Sequence, residues 1–195
     1  MSFVVLFDTN VLAPARLNDL MLSLAFDRTY VPKWSSEIVI ELERYLVRRG
    51  LKEAAIEKRL LNMANAFPTA SVENFQSLAK TLRCPDPNDN HVLAAAIVGG
   101  AGALVTFNSK DFPQNLFENY GIDLLHPDDF LRNQYTLHPE TVNRSLADLG
   151  YRWHRPDGTV QELVRSFERP LPQFASLIAS NSAEIDFYRT LRSAL

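Results

Sequence analysis

The first ten residues of the chain constrain its fold more than any other stretch. Residues 3–7 (FVVLF) are apolar without interruption, which is typical of a strand buried on both faces, although a piece of buried helix would have the same pattern. Asp8, Thr9 and Asn10 follow at once. Ligands of open α/β sheets bind beyond the carboxyl ends of the strands, so Asp8 is a candidate functional residue. The alternative is that Asp8 and Asn10 only begin a turn or cap a helix.

Further apolar segments alternate with helical patterns along the chain. Residues 103–107 (ALVTF) and 122–125 (IDLL) are predicted strands, and residues 29–32 (TYVP) are predicted to form a shorter extended segment that its proline ends. Apolar residues at helical spacing fill the intervals between them. This alternation predicts an α/β fold with a central parallel sheet and right-handed crossovers.

The last sixty or so residues have a helical pattern only. Pro139 is predicted to open one helix, and Thr159 with Glu162 three residues later predicts a capping box at the start of another. We therefore expect two domains, an α/β domain over residues 1–134 and an α-helical C-terminal extension over residues 135–195. The extension is expected to cover a sheet edge, form a dimer surface or replace some of the contacts that a partner protein would make.

Composition excludes some classes of protein. A net charge of −3 gives no overall basic signature, so nucleic-acid binding would need a local patch. Cys84 is the only cysteine, which excludes an intrachain disulfide and a cysteine-based zinc site. No signal-peptide pattern and no apolar run of membrane-spanning length is present, so we expect a cytoplasmic protein that does not bind a membrane.

Three further acidic positions stand beside predicted structural boundaries. Asp89 lies in the first turn of a helix that Asp86 is predicted to cap, and acids in a first turn are already favoured by the helix dipole. Glu41 lies in a mostly apolar helical run, where a surface ion pair with Arg44 is the competing explanation. Asp111 follows the predicted strand 103–107. Each position has a purely structural explanation when it is taken alone.

Taken together, the acids favour a metal site. Several carboxylates in one place repel one another unless a cation neutralises them. Mg²⁺ prefers hard oxygen ligands, and it can lower the pKa of a bound water and stabilise charge on a phosphodiester. Whether these acids cluster is not given by the sequence alone.

Four segments of the chain resemble the PIN-domain ribonucleases, and among these most closely the VapC-type toxins of bacterial toxin–antitoxin pairs. The resemblance covers about residues 3–130, and the segments come in the family's order: residues 3–10 (FVVLFDTN), 41–46 (ELERYL), 86–96 (DPNDNHVLAAA) and 105–112 (VTFNSKDF). It implies a three-layer α/β/α fold that cuts single-stranded RNA with Mg²⁺ or Mn²⁺ and leaves a 5′-phosphate. It also implies a cognate antitoxin as partner, and we expect a homodimer.

The same resemblance assigns roles to individual residues. The first three acids of the family fall on Asp8, Glu41 and Asp89. Many members have a fourth acid where this chain has Asn108, which leaves Asp111 as the nearest acid and puts a second metal site in question.

The hypothesis that follows has Mg²⁺ bound by Asp8, Asp89 and Asp111, with Glu41 orienting the attacking water. Carboxylates and waters would in turn be hydrogen-bonded by a supporting set of side chains, namely Thr9, Asn10, Thr106 and Asn108.

Candidate RNA contacts are Lys110 beside the predicted site and the basic residues Arg44 and Arg48, for which a solvated helix face is an equal explanation. Two other functions stay open. One is a catalytically degenerate PIN-like module that only binds RNA or protein. The other is a Mg²⁺-dependent phosphohydrolase with Asp8 as nucleophile, which usually requires an Asp where this chain has Asn10.

Overall fold

The computed structural model describes residues 3–112, 114–154 and 159–193. Its backbone divides into two compact units. The first comprises residues 1–15 and 30–126, and the second comprises residues 16–29 and 127–195. The domain boundary at residue 134 stays a prediction.

The first unit is built on a five-stranded sheet in which every pairing is parallel. Its strands are β1 (Val4–Phe7), β2 (Val31–Ser35), β3 (Ser71–Val72), β4 (Ala103–Val105) and β5 (Asp123–Leu125). Their order across the sheet is β3-β2-β1-β4-β5, so β1 is central. Val5, Leu6 and Phe7 are fully buried, as expected for a strand covered on both faces. The predicted α/β fold with a central parallel sheet is confirmed.

Strand β2 corrects the prediction that Pro32 would end an extended segment. The strand begins at Val31 and continues through Pro32 to Ser35. Pro32 pairs with Val5 of β1, whereas pairing with β3 begins only at Trp34, opposite Ser71. Since Val31 donates its amide to Phe3 of the β1 segment, the backbone nitrogen of Pro32 faces the β3 side, where pairing has not yet begun and no backbone donor is needed. A residue without an amide hydrogen is therefore tolerated there.

Among the described residues before Pro127, seven α-helices alternate with these strands along the chain. They are α1 (Thr9–Leu12), α2 (Ala15–Phe26), α3 (Ser36–Arg48), α4 (Glu53–Ala66), α5 (Gln76–Ala79), α6 (Asn90–Val98) and α7 (Gln114–Glu118). Ser35 caps α3 by accepting the amide of Ile38 at 3.2 Å. Asp86 caps a 3₁₀ turn, Pro87–Asp89, that precedes α6. Three buried alanines, residues 94–96, let α6 pack closely against β1 and β2.

The second unit contains most of α2 and, in the described residues from Pro127 onward, five further helices, which confirms the predicted helical C-terminal part. They are α8 (Pro127–Leu137), α9 (Pro139–His154), α10 (Val160–Glu168), α11 (Pro172–Ser180) and α12 (Ser182–Ser193). The capping box predicted at Thr159 and Glu162 is present at the start of α10. Asp128 accepts the backbone amides of Gln173 and Phe174 at 3.1 and 2.7 Å, and this fixes α8 against the start of α11. No helix in the described ranges has the length and apolarity needed to cross a membrane.

Candidate active site

The candidate site lies at the carboxyl ends of the two central strands, β1 and β4. The strand order changes direction between them, because the chain runs from β1 outward through β2 and β3 and then returns to place β4 on the other side of β1. Such a switch point leaves a crevice at the strand ends. Asp8 follows β1 and Thr106 follows β4, so the topology brings residues ninety-eight positions apart into contact.

Asp8 is held by three donors. One carboxylate oxygen, Oδ1, accepts the backbone amide of Thr9 at 2.6 Å, which makes Asp8 the cap of α1. The other, Oδ2, accepts the side-chain amide of Asn10 and the hydroxyl of Thr106, both at 2.7 Å. Asp8 therefore does cap a helix, as the alternative interpretation predicted. Helix capping does not explain why its other oxygen, Oδ2, is oriented by Asn10 and Thr106, which follow two different strands.

Burial is the largest influence on the pKa of Asp8. Only 8% of the residue is exposed, and this desolvation raises the pKa of its carboxyl group. The hydrogen bonds from Thr106 and Thr9 oppose the rise, and the negative charge of Glu41 adds to it. A buried carboxylate with a raised pKa beside a second acid is typical of functional sites.

Asn10 holds the two strand ends together. Its Nδ2 donates to Asp8, and its Oδ1 accepts the backbone amide of Phe107 at 3.0 Å. The amide of Asn108 donates in turn to the Thr106 hydroxyl oxygen at 3.0 Å. These contacts give Asn10 and Thr106 a geometric role in orienting Asp8, whereas the catalytic importance of Thr9, Asn10, Thr106 and Asn108 stays a prediction.

Glu41 projects from α3 into the same site. It accepts the Thr9 hydroxyl at 2.6 Å, and its Oε1 lies 3.1 Å from Nε2 of His91 on α6. The hydrogen bond with His91 is the largest influence on Glu41 and lowers the pKa of its carboxyl group against the opposing effect of burial. For His91, burial alone would lower the imidazole pKa, but the hydrogen bond with Glu41 and the nearby negative charges together raise it.

His91 is a site residue that the sequence analysis did not select. Its other ring nitrogen, Nδ1, is buried without a hydrogen-bond partner among the described residues. Its position two residues after Asp89, at the start of α6, was the available signal, but its partner Glu41 lies fifty positions earlier. No local pattern connects two residues so far apart.

A cleft of about 510 Å³ opens over these side chains. Its lining includes the predicted RNA contacts Arg44 and Arg48 and six of the predicted site residues, namely Asp8, Thr9, Asn10, Glu41, Asp89 and Asn108. Lys110 is exposed and does not belong to the described lining. The side chain of Asp111 lies outside the described part of the structure, so its predicted role as ligand stays a prediction. The acids and the basic side chains therefore share one opening.

The donor chemistry of this cleft fits a hard divalent cation. Carboxylate and amide oxygens of Asp8, Glu41, Asp89 and Asn108 line it, and these are the ligand types that Mg²⁺ and Mn²⁺ prefer. A cation would also offset the mutual repulsion of Asp8 and Glu41. Among the described side chains, no three His, Cys, Asp or Glu groups already converge closely enough to bind a metal. The described side chains of the site therefore have the oxygen ligands that a divalent cation prefers, but they do not form a complete coordination shell.

Arg59 stabilises the short helix α1, which carries the site residues Thr9 and Asn10. Its guanidinium on α4 donates to the backbone carbonyls of Leu12 and Ala13, at the carboxyl end of α1. Since Asp8 caps the other end of this one-turn helix, Arg59 fixes the segment on which Asp8, Thr9 and Asn10 stand. A cation at a helix carboxyl terminus is also favoured by the helix dipole.

Comparison with known proteins agrees with this architecture. The PIN domain family model matches residues 4–110, which is more than half of the chain, and the chain belongs to that family. A second model, described as the VapC50 C-terminal domain, matches residues 127–180. A protein of Mycobacterium tuberculosis named "Putative ribonuclease VapC50" is 38% identical over 88 residues. Those residues are 45% of this chain and 52% of the relative, so the chain spans about half the length of the curated protein it matches.

Proposed function

We propose that the chain is a metal-dependent endoribonuclease and the toxin of a type II toxin–antitoxin pair. The observation that carries the proposal is the cleft at the strand ends, in which oriented carboxylates share one opening with Arg44 and Arg48. Acids suit a divalent cation and its water, and arginines suit the phosphates of a nucleic acid. Membership of the PIN domain family and the named ribonuclease relative support the same activity.

The residues of the chain divide the work as follows. Asp8, Asp89 and Asp111 would bind Mg²⁺ or Mn²⁺. When bound, the cation would lower the pKa of a water molecule that it coordinates and would stabilise negative charge on the phosphodiester. Thr9, Asn10 and Thr106 hold Asp8 and Glu41 in fixed orientations, so that little reorganisation is needed during the reaction. Glu41, with its pKa lowered, stays ionised at neutral pH and is suited to orient a water for attack. Arg44 and Arg48 would bind the RNA backbone.

The phosphohydrolase alternative loses support from the position of Asn10. Both ends of its side-chain amide are engaged, one with Asp8 and Thr106 and the other with Phe107. Asn10 therefore acts as a brace between strand ends and is not a substitute for a second reacting acid. The degenerate binding module is favoured by one observation, the neutral Asn108 at the position of an acid, and is the outcome that the assay below would reveal.

The test is cleavage of a panel of single-stranded RNAs with Mg²⁺ or Mn²⁺. We expect Asp8→Asn to lower the cleavage rate at least a hundredfold, because the buried oxygens of Asp8 are central to the site. Asp123→Asn removes an equal charge from an exposed position on β5 and serves as the matched control. Equal cleavage by wild type and Asp8→Asn would exclude the nuclease assignment. Metal binding without cleavage would favour the binding module.

The antitoxin pairing has its own test. We expect a small neighbouring gene that encodes a DNA-binding protein, and co-expression of its product should inhibit cleavage and co-purify with this chain. If the gene has no such neighbour, the proposed toxin–antitoxin pairing would be excluded, whereas the proposed nuclease activity would be unaffected.

A further inference from the structure

One face of α3 adjoins the candidate active site and carries an aromatic side chain to which the proposed function gives no role. Four side chains stand at positions i, i+3, i+4 and i+7 of this helix, namely Glu41, Arg44, Tyr45 and Arg48. This spacing places them on one face, and all four line the cleft of about 510 Å³ at the strand ends. Because an α-helix rises about 1.5 Å per residue, the face extends roughly 10 Å from the acid to the second arginine. Tyr45 lies between the two arginines.

The ring of Tyr45 is open to a ligand in this cleft. The residue is 36% exposed. In the part of the chain that the structure describes, its ring has no aromatic neighbour and its hydroxyl has no hydrogen bond. Tyr30 of the same unit is the contrast, because it is buried and packs edge to face against Phe7 with ring centroids 5.8 Å apart.

The two arginines beside Tyr45 are available as well. Both are exposed, and neither Arg44 nor Arg48 forms a salt bridge with any described carboxylate. Ala13 and Pro14 line the same cleft from the segment that follows α1 and add apolar surface. The described lining therefore combines an exposed aromatic ring, two unpaired cations and an apolar wall, all within the first unit.

We propose that Tyr45 is the base-stacking residue of the active site, on which one unpaired RNA base stacks while Arg44 and Arg48 bind the flanking phosphates. A nucleotide presents a flat π-face next to phosphate groups, which matches an aromatic ring between two arginines. A base in a duplex has its faces covered by its neighbours, whereas an unpaired base can be splayed out onto an aromatic side chain. This inference rests on the proposed ribonuclease function and deepens it, because it assigns the residue that contacts the base.

The experiment measures binding of fluorescein-labelled decauridine to the full chain by fluorescence anisotropy, in EDTA so that metal-dependent cleavage does not interfere. We expect Tyr45→Ala to weaken binding by about fivefold or more, the lower limit for the loss of one base–aromatic stack. Tyr45→Phe keeps the aromatic face and should bind within about twofold of wild type. Tyr45→Leu keeps apolar bulk without a π-face and should bind as weakly as Tyr45→Ala.

Two controls separate stacking from other effects. Tyr120→Ala removes the same ring from an exposed position of the first unit, outside the described lining of the cleft, and should bind like wild type. A decamer of abasic ribose phosphates keeps the phosphates without the bases, so Tyr45→Ala should bind it like wild type. Arg48→Gln should weaken binding of both decamers by similar factors, because it removes a phosphate contact.

A photochemical measurement tests the contact without any substitution. Decauridine that contains 5-bromouridine should cross-link to Tyr45 on irradiation, and mass spectrometry of the digested complex would locate the linked residue. Cross-links confined to other residues would contradict the stacking role.

Three further results would overturn the proposal. The first is absence of measurable decauridine binding by the wild type. The second is a Tyr45→Ala variant that binds decauridine like wild type, or that binds both decamers more weakly by the same factor. The third is unchanged RNA binding by Tyr45→Ala together with loss of a co-purifying antitoxin, which would make Tyr45 a protein contact.

Failure of the proposed nuclease activity would be recognised separately. Wild type that binds decauridine through Tyr45 but cleaves no RNA with Mg²⁺ or Mn²⁺ would support the base contact and disprove the nuclease. Cleavage by wild type with no effect of Tyr45→Ala on binding would support the nuclease and disprove the base contact.

Discussion

The two units of the molecule differ in how completely their buried polar side chains are hydrogen-bonded. In the first unit, the strand-end site surrounds Asp8 with three donors and orients Glu41 with two more side chains. In the second unit, buried oxygens of Asn18, Gln134, Tyr135 and Asn143 have no described partner. His91 Nδ1 is the corresponding atom of the first unit. The difference indicates that the strand-end site is pre-organised by its own side chains, whereas buried oxygens of the second unit are less completely hydrogen-bonded.

The largest expected effect comes from removing a hydroxyl in the pre-organised site. Thr106→Val keeps the side-chain shape but deletes the donor to Asp8 and the acceptor for the amide of Asn108. Because Thr106 is fully buried, we expect a loss of about 2 kcal/mol in the free energy of unfolding. Urea denaturation would measure it. Thr106→Ser, which retains the hydroxyl, should lose clearly less, and equal losses would show that the methyl group rather than the hydrogen bond matters.

The next largest expected effect is stabilisation of the first unit by a bound metal ion. A ligand that binds only the folded state stabilises it by about 1.4 kcal/mol at ten times its dissociation constant. We expect Mg²⁺ or Mn²⁺ to raise the thermal midpoint of the wild type and EDTA to reverse the rise. Asp8→Asn should show little response, and Asp123→Asn should respond like wild type. An identical response from Asp8→Asn would exclude Asp8 as a metal ligand.

Hydroxyl deletion in the second unit should have a smaller effect. Burial raises the pKa of the Tyr135 hydroxyl, and a hydrogen bond with the Asn143 side chain lowers it. Because no standard hydrogen bond of this hydroxyl is found among the described residues, we expect Tyr135→Phe to change the free energy of unfolding by less than about 1 kcal/mol. The measurement is again urea denaturation. A loss comparable to that of Thr106→Val would contradict the contrast between the units.

The smallest expected effect is the pH dependence of the Glu41–His91 pair. The pKa of Glu41 is lowered, so its contribution to stability is present above its ordinary value of 4.5 and is lost as the pH falls. The pKa of His91 is raised, so its contribution is present below 6.5 and is lost as the pH rises through its folded-state value. The pair therefore contributes most between about pH 4.5 and 6.5.

His91→Gln keeps a hydrogen-bonding group without the charge and should isolate this effect in metal-free buffer. Since 41% of the Glu41 side chain is exposed, solvent screening should keep the stability difference below about 1 kcal/mol. The difference between wild type and His91→Gln should peak within that pH window. A difference that does not vary between pH 4 and 8 would mean that the pair is not ionised.

Much of the first unit could be predicted from local pattern. The apolar runs of β1 and β4 are typical of central parallel strands, because a strand covered on both faces has no position that faces solvent. Strand β2 could not be predicted past Pro32, since the tolerance of a proline depends on where β3 begins to pair. The contact between Glu41 and His91 likewise depends on how α3 and α6 pack, which their separate sequences do not encode in any nearby pattern.

By itself, the sequence determined the alternation of strands and helices, the acid at the end of β1 and the caps at Asp86 and Thr159. These features depend on residues within one turn or one strand of each other. Only the tertiary structure decided which acids share a cleft, that Asn10 and Thr106 orient Asp8, and that Asn143 donates to Glu184. Those facts require long-range packing, because hydrogen-bond partners and desolvation come from segments tens of residues away.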